Sequence, residues 1–416
     1  RPYAWAAGLA GGAILFAIHV RDGIDQAGER DLILAALLLL ACAWVFEALR
    51  RDHRIYSLVG GLAGGAALLI KPTAAIWVLG VLLLEAYTLR RRPARMWRQL
   101  SMFILGNLAS LTLTLLFLHH YHAVDAFIAI ARGLDAYHAG VDRLSVIYLL
   151  AHPIPSAWFP VALAWIYLAF IARRWNQFEK SVVIFSIAFG VASFVLQGKG
   201  FPYHRYPAEA FLMLALGIDG ALALRARGTQ RIVAALVLAY ALGVLAPESV
   251  VRASRYDWKN QDFSHSLTTD LDSLGGARLS GNIQCMDTFG GCIGTLYNMR
   301  LVQATGFFYD CYFFHQPQSA VTTAMRNRFL YAMEAAPPKI IVVTDQYCFA
   351  DPGGYRKLDT WPVFQSWLGE NYDLHSEMEP GRDVNWWPHP RPGVGYRIYL
   401  RRADDLRSEA SQQQNP

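Results

Sequence analysis

Residues 197–207, QGKGFPYHRYP, lie between the apolar runs 181–196 and 208–224. An ordinary turn needs only a few small polar residues. This one carries Lys199, Arg205, His204, Tyr203, Tyr206 and two prolines. Gly198 and Gly200 let the backbone bend close to a ligand. Lys199 and Arg205 have the charge to neutralise a phosphate, and Tyr203 and His204 have hydrogen bonds to donate to it. Ionisable groups beside lipid are costly to keep. That cost favours a binding role over interfacial anchoring by tyrosine and arginine.

Three other polar stretches interrupt apolar sequence. RDGIDQAGERD (21–31) places Glu29, Arg30 and Asp31 at the start of an apolar helix. A solvated helix N-terminus explains acids there, and a site for an acceptor or a sugar is the functional alternative. LIKPTA places Lys71 beside Pro72. Snorkelling accounts for a lone lysine at a membrane boundary, and phosphate binding is the sharper alternative. HHYHAVDAFIAIARGLDAYHAGVD (119–142) reads as an amphipathic segment on the interface, and its histidines match no metal-ligand spacing.

The elements that must position these residues are membrane spans. Of the 416 residues 54% are hydrophobic and 17% charged, whereas soluble domains carry about 25% charge. Long apolar runs fill residues 1–250, while 251–416 has ordinary soluble composition. A spanning helix takes about 20 apolar residues. Nine candidates lie near 3–20, 31–49, 55–70, 73–89, 100–118, 146–172, 181–196, 208–224 and 232–248. Pro72 stops the third, so the third and fourth read as a tight helical hairpin. Pro153, Pro155 and Pro160 break the outer end of 146–172.

The loops between these runs alternate. Arg50/Arg51/Arg54, Arg90–Arg92 with Arg95 and Arg98, Arg173/Arg174/Lys180 and Arg225/Arg227/Arg231 form a strongly basic set. The other set, 21–30, 71–72, 119–145 and 197–207, is mixed in charge. The positive-inside rule puts the basic set in the cytoplasm. It also assigns the net charge of +6 to membrane topology rather than to nucleic-acid binding. Nine spans then leave 251–416 outside.

Cys42 lies in an apolar run, whereas Cys285, Cys292, Cys311 and Cys348 all lie in the C-terminal region. Outside the cytoplasm this favours disulfides over free thiols or zinc. Loop closure favours Cys285 with Cys292 and Cys311 with Cys348. In the same region ARLSGNIQ, RLVQATGF, KIIVVTD and YRIYLRR read as strands, and 317–335 and 360–371 as helices. The pattern is α/β, expected over 251–403, with a disordered tail at 404–416. The tip DVNWWPHPRPGVG reads as a loop against the membrane or its own domain, with a lid as the functional alternative.

The lysine–aromatic–proline segment 197–207 resembles the lipid-phosphate motif of the GT-C glycosyltransferases of the protein mannosyltransferase and aminoarabinose transferase type. GLAGGAALLIKPTA resembles that family's glycine-rich helix and lysine turn, and DQAGERDLILAALLLL its acidic residue at an outer helix start. The likeness covers most of 1–250 in layout and three short stretches in motif. It implies transfer of a sugar from a polyprenyl-phosphate donor to a glycan, lipid or protein acceptor, with inversion, at a bacterial inner (plasma) membrane. Lys71, Lys199, Tyr203, His204 and Arg205 would then hold the donor phosphate, with Glu29 and Asp31 on the acceptor or sugar side. A divalent metal is compatible with this chemistry and not required by it. The family places its catalytic base in the loop after its first span. The expectation is therefore that spans preceding Arg1 carry the base. The rivals are a flippase or transporter of lipid-linked sugars, which would want polar groups near the bilayer midplane, and a non-catalytic envelope-assembly subunit.

The charge alternation predicts cytoplasmic loops at 90–99 and 173–180 and an external 251–416. Single cysteines introduced in each region and labelled in intact cells with an impermeant thiol reagent check it: only those in 251–416 should react.

Overall fold

Proline, glycine and charge punctuate the apolar runs into helices. The computed structural model describes residues 2–22, 29–139, 143–171, 177–288, 291–315, 318–346, 354–379 and 394–402. The chain divides into two units, one of residues 1–130 with 142–254, the other of 131–141 with 255–416.

The helices of the first part of the chain are α1 (Pro2–Asp22), α2 (Arg30–Arg51), α3 (Arg54–Ile70), α4 (Ala74–Leu89), α5 (Pro93–His120), α6 (Val124–Ala139), α7 (Val146–Ala151), α8 (Phe159–Ile171), α9 (Gln177–Gln197), α10 (Tyr206–Ala223) and α11 (Thr229–Tyr240). A π-helical turn, Ala241–Leu245, joins α11 to α12 (Ala246–Leu274). Among the described residues five helical stretches are long and apolar enough to cross a membrane: Arg30–Arg51, Pro93–His120, Gln177–Gln197, Pro202–Ala223 and Thr229–Ala253. Arg54–Ile70, Ala74–Leu89 and Ser156–Ala169 are apolar but shorter. The hairpin expected at Lys71-Pro72 forms, with Lys71 in extended conformation capping α3. The segment 146–172 is interrupted after α7, as its prolines require. The expected boundary at 250 falls inside helix, because α12 continues to Leu274.

The helix ends sort into two sets. At one end Lys71 bonds to Asp31 and Gln197, Arg205 pairs with Asp22, and Arg21 lies 3.7 Å from Glu248. At the other Arg50 pairs with Glu179 at 2.6 Å, and Arg95 and Arg98 pair with Asp52 at 2.9 and 2.5 Å. These are the mixed and the basic ends of the sequence pattern. Most residues of α10 are buried, whereas few of α5 are, so α10 is the central helix of this unit and α5 a peripheral one. Small residues let backbones approach, as membrane helices require. A Cβ on Gly61 would strike the Phe103 carbonyl, and one on Gly106 the Leu58 carbonyl, so α3 and α5 pack nearly backbone to backbone.

The second unit holds a four-stranded sheet in the order β1-β2-β4-β3. β1 (Ile283–Met286) runs parallel to β2 (Ile340–Thr344), while β4 (Tyr396–Arg401) is antiparallel to both β2 and β3 (Tyr372–Met378). Its helices are α13 (Cys292–Asn298), α14 (Cys311–Phe314), α15 (Ala320–Ala335) and α16 (Pro362–Asn371). One sheet face packs Ile283, Val342 and Ile398 on Leu267 and Leu271 of α12, and the other packs Met286, Ile341 and Val343 on Phe313, Phe329 and Phe364. The expected strand at 300–307 is absent: only a bridge from Ile283 to Gln303 forms there. The Gln303 and Gln284 side chains take up that segment's hydrogen bonds instead. β3 is hard to read from sequence, because the alternation of Tyr372, Leu374 and Met378 lapses at Ser376 and the strand lies at an edge with mostly exposed residues. Cys285 and Cys292 form a disulfide and Cys311 is disulfide-bonded. Cys348, most of the Trp/Pro-rich tip and the tail 404–416 lie outside the described residues. Cys42 is a buried free thiol.

Gly61→Leu or Gly106→Leu should force α3 and α5 apart and cost about 1–3 kcal/mol. Gly12→Leu, at a position with nothing within 4 Å of the new Cβ, should cost little. Thermal unfolding of the detergent-solubilised variants measures the difference.

Candidate functional site

Lys71 is the link between the sequence-predicted stretches. Its Nζ donates to Asp31 Oδ1 at 2.6 Å and to Gln197 Oε1, with the lysine side chain 7% and the aspartate 0% exposed. Asp31 lies in the first turn of α2, Lys71 caps α3, and Gln197 ends α9. The acidic helix start, the lysine turn and the segment 197–207 therefore meet at one point. Gln197 Nε2 in turn donates to the Ser193 carbonyl at 3.0 Å, and Thr73 Oγ1 lies 3.5 Å from Ser193 Oγ. Asp31 Oδ2 is buried and has no hydrogen-bond partner among the described residues. Glu29 is half-buried just outside α2 and makes no capping hydrogen bond. Burial pushes its carboxyl above the usual range, and the charge of Asp31 adds to that.

The segment 197–207 folds as a bend followed by a short 3₁₀ turn, Pro202–Arg205, which runs into α10 with Pro207 in its first turn. Gly198 and Gly200 have φ of 73° and 70°, the left-handed region that glycine enters without steric cost. The Gly198 carbonyl accepts from Leu144 N at 2.8 Å, and a Cβ on Gly200 would collide with the Leu144 side chain. Phe201, Tyr203 and His204 form an aromatic cluster, with Tyr203 and His204 edge to face at 4.4 Å between ring centroids. His204 is buried, and Lys199 and Tyr203 are half-buried.

Arg205 faces two carboxylates, Asp22 at 3.4 Å and Glu209 at 3.5 Å, and donates to the Pro202 carbonyl. Glu209 is fully buried. The Tyr206 hydroxyl lies 2.9 Å from His19 Nδ1. Asp22, His19, Tyr206, Glu209 and Gln197 were not assigned roles from sequence. The signals existed: Glu209 is a charge inside an apolar run, and His19 a polar ring inside another.

Both Lys71 and Arg205 are thus held by carboxylates, and the structure brings together Asp31, Lys71 and the segment carrying Lys199. A ligand hydroxyl donating to Asp31 Oδ2, or a phosphate drawing on Lys199 or Arg205, is the chemistry this arrangement allows. Among the described residues no group of three or more His, Cys, Asp or Glu is placed to hold a metal. In the second unit Lys357 is 2% exposed and donates to Asp310 at 2.6 Å, to the Gln346 carbonyl at 3.0 Å and to the Met286 carbonyl at 3.3 Å. Those three acceptors use all its donors, so this network is a structural lock.

The fold and these contacts define a helical membrane protein with a polar cluster at one end of its helices. No protein-family model matches the chain, and no curated protein does.

Removing one member of a buried ion pair costs about 3–5 kcal/mol, whereas removing both is nearly neutral. Asp31→Asn or Lys71→Met alone should therefore destabilise strongly, and the double variant should recover most of the loss. Unfolding in detergent checks the pattern.

Proposed function

We propose that this protein is a membrane glycosyltransferase that moves a sugar from a polyprenyl-phosphate donor to an extracytoplasmic acceptor, with inversion. The observation that carries the reading is the convergence of Asp31, Lys71 and the 197–207 bend at one end of the helices. These are the three stretches on which the GT-C resemblance rests. The unit has about nine spans in this reading, and the end bearing the cluster faces outward because the opposite end carries the arginines. The Arg21–Glu248 contact puts the start of α12 at the same end, in keeping with an external second unit. The membrane is a bacterial inner membrane.

In this reaction an acceptor hydroxyl gives its proton to a carboxylate as its oxygen attacks the anomeric carbon, the glycosidic C–O bond breaks, and polyprenyl phosphate leaves with the bonding electrons. Lys199 and Arg205 stabilise the charge that builds on that phosphate, and Tyr203 and His204 donate hydrogen bonds to it. Lys71 holds Asp31, and Asp31 Oδ2 and Glu29 face the sugar or acceptor. The phosphate competes with Asp22 and Glu209 for Arg205. A carrier would concentrate its polar groups near the midplane. Here the buried acids Asp31 and Glu209 lie in first turns, and Glu85, Glu179 and Asp219 lie within about two turns of the opposite helix ends.

Lys199→Ala or Arg205→Ala should weaken polyprenyl-phosphate binding and slow transfer by about 10–1000-fold, the range that ~1.4–4 kcal/mol of charge stabilisation implies. Tyr203→Phe should cost less, because only a hydroxyl is lost. Binding of a polyprenyl phosphate and transfer from its sugar conjugate, both in proteoliposomes, measure this. Folded cation variants with wild-type affinity and turnover would reduce the segment to an interfacial anchor.

A further inference from the structure

An apolar cleft of about 410 Å³ opens between α2, α9 and α10. Leu39 and Phe46 of α2, Val183 of α9, and Phe211 and Leu222 of α10 line it. From Phe211 to Leu222 it runs about 16 Å at the helical rise of ~1.5 Å per residue. That is close to half of a hydrocarbon core of about 30 Å, the depth of one acyl chain. Ala43, exposed and small, leaves the side open toward lipid.

One end of the cleft is polar. Arg50, Glu47 and Glu179 close it, and the Arg50 side chain stays 55% exposed while pairing with Glu179 at 2.6 Å. The same ends of the three helices carry Arg51, Lys180 and Arg225. Arg50 is shared between Glu179 and Glu47 and Arg51 pairs with Glu47, so a phosphate at Arg50 would share the guanidinium with these carboxylates while Lys180 and Arg225 add positive charge nearby. A neutral lipid would fill the apolar part equally well, so the cations select an anionic headgroup. A polyprenyl chain entering from the Lys71 end would leave its phosphate there and make no use of Arg50.

We propose that the cleft holds one acyl chain of an anionic phospholipid from the leaflet facing Arg50, with the lipid phosphate on the Arg50 guanidinium. The site is separate from the sugar-transfer reading and stands whether or not that reading does.

The test uses purified full chain in detergent with phosphatidylglycerol or phosphatidylcholine, each carrying a photoreactive group on one acyl chain. Cross-linked peptides are mapped by mass spectrometry. Phosphatidylglycerol should label residues 39–50 and 211–222 about fivefold more than phosphatidylcholine, the ratio that about 1 kcal/mol per cation near a membrane surface gives. Ala43→Trp, at an exposed position, should fill the cleft and abolish that labelling. Arg50→Gln alone would strand the Glu179 charge. The Arg50→Gln/Glu179→Gln double variant avoids this and should lower phosphatidylglycerol labelling to the phosphatidylcholine level. Should the double variant misfold, Ala43→Trp alone decides. Equal labelling by the two lipids overturns the proposal, as does labelling that survives Ala43→Trp. Displacement of the probe by unlabelled polyprenyl phosphate but not by unlabelled phosphatidylglycerol would assign the cleft to the polyprenyl chain and equally overturn it.

Discussion

A lysine withdrawn from water among apolar helices must find a counter-charge, and Lys71 finds it in Asp31. Its remaining protons need acceptors too, and Gln197 supplies one. Because those partners come from the start of α2 and the end of α9, the electrostatic demand of one ammonium fixes which helix ends meet. Pro72 adds to this by ending α3 so that the lysine projects from an extended residue rather than along a helix face. The neighbouring Arg205 obeys the same constraint and draws Asp22 of α1 and Glu209 of α10 to it.

The apolar packing fits around these fixed points. The glycines of α3 and α5 bring backbones close without large side chains, and α10 fills the centre. At the opposite end Arg95 and Arg98 pair with the half-exposed Asp52, where an ion pair contributes little and solvent shares the charge, and the exposed Arg50 reaches in to the buried Glu179. The two ends therefore differ in kind: one carries buried, obligatory pairs and the other a solvated cationic rim. The second unit repeats the buried version in Lys357 and Asp310, beside the end of β1, where Lys357 also donates to the Met286 carbonyl.

For the proposed transferase this has a mechanistic consequence. Cations already matched by carboxylates bind a phosphate only by sharing or exchanging partners. Donor binding is then coupled to rearrangement of Asp22 and Glu209 around Arg205. The product monoester carries more negative charge than the donor diester, so a fixed, unshared cation would hold the product more tightly than the donor, whereas return of Arg205 to Asp22 and Glu209 favours its release.

The sequence by itself determined the membrane character, the alternation of loop charge, the Lys71-Pro72 hairpin, the break in 146–172 and the strands at 340–344 and 396–401. Each is written in local composition: runs of apolar residues, prolines, arginines. It also singled out Asp31, Lys71 and 197–207 one by one. Only the tertiary structure decided that Lys71 bonds Asp31 and Gln197, because the partners are separated by 40 and 126 positions. It alone paired Arg205 with Asp22 and Glu209 and added His19 and Tyr206. A charge in an apolar run announces that a partner must exist, but which helix supplies it depends on packing that no local pattern encodes. The edge strand β3 and the cleft between α2, α9 and α10 were hidden for the same reason. An edge strand left mostly exposed carries only a broken apolar alternation, and a void is a property of three surfaces brought together.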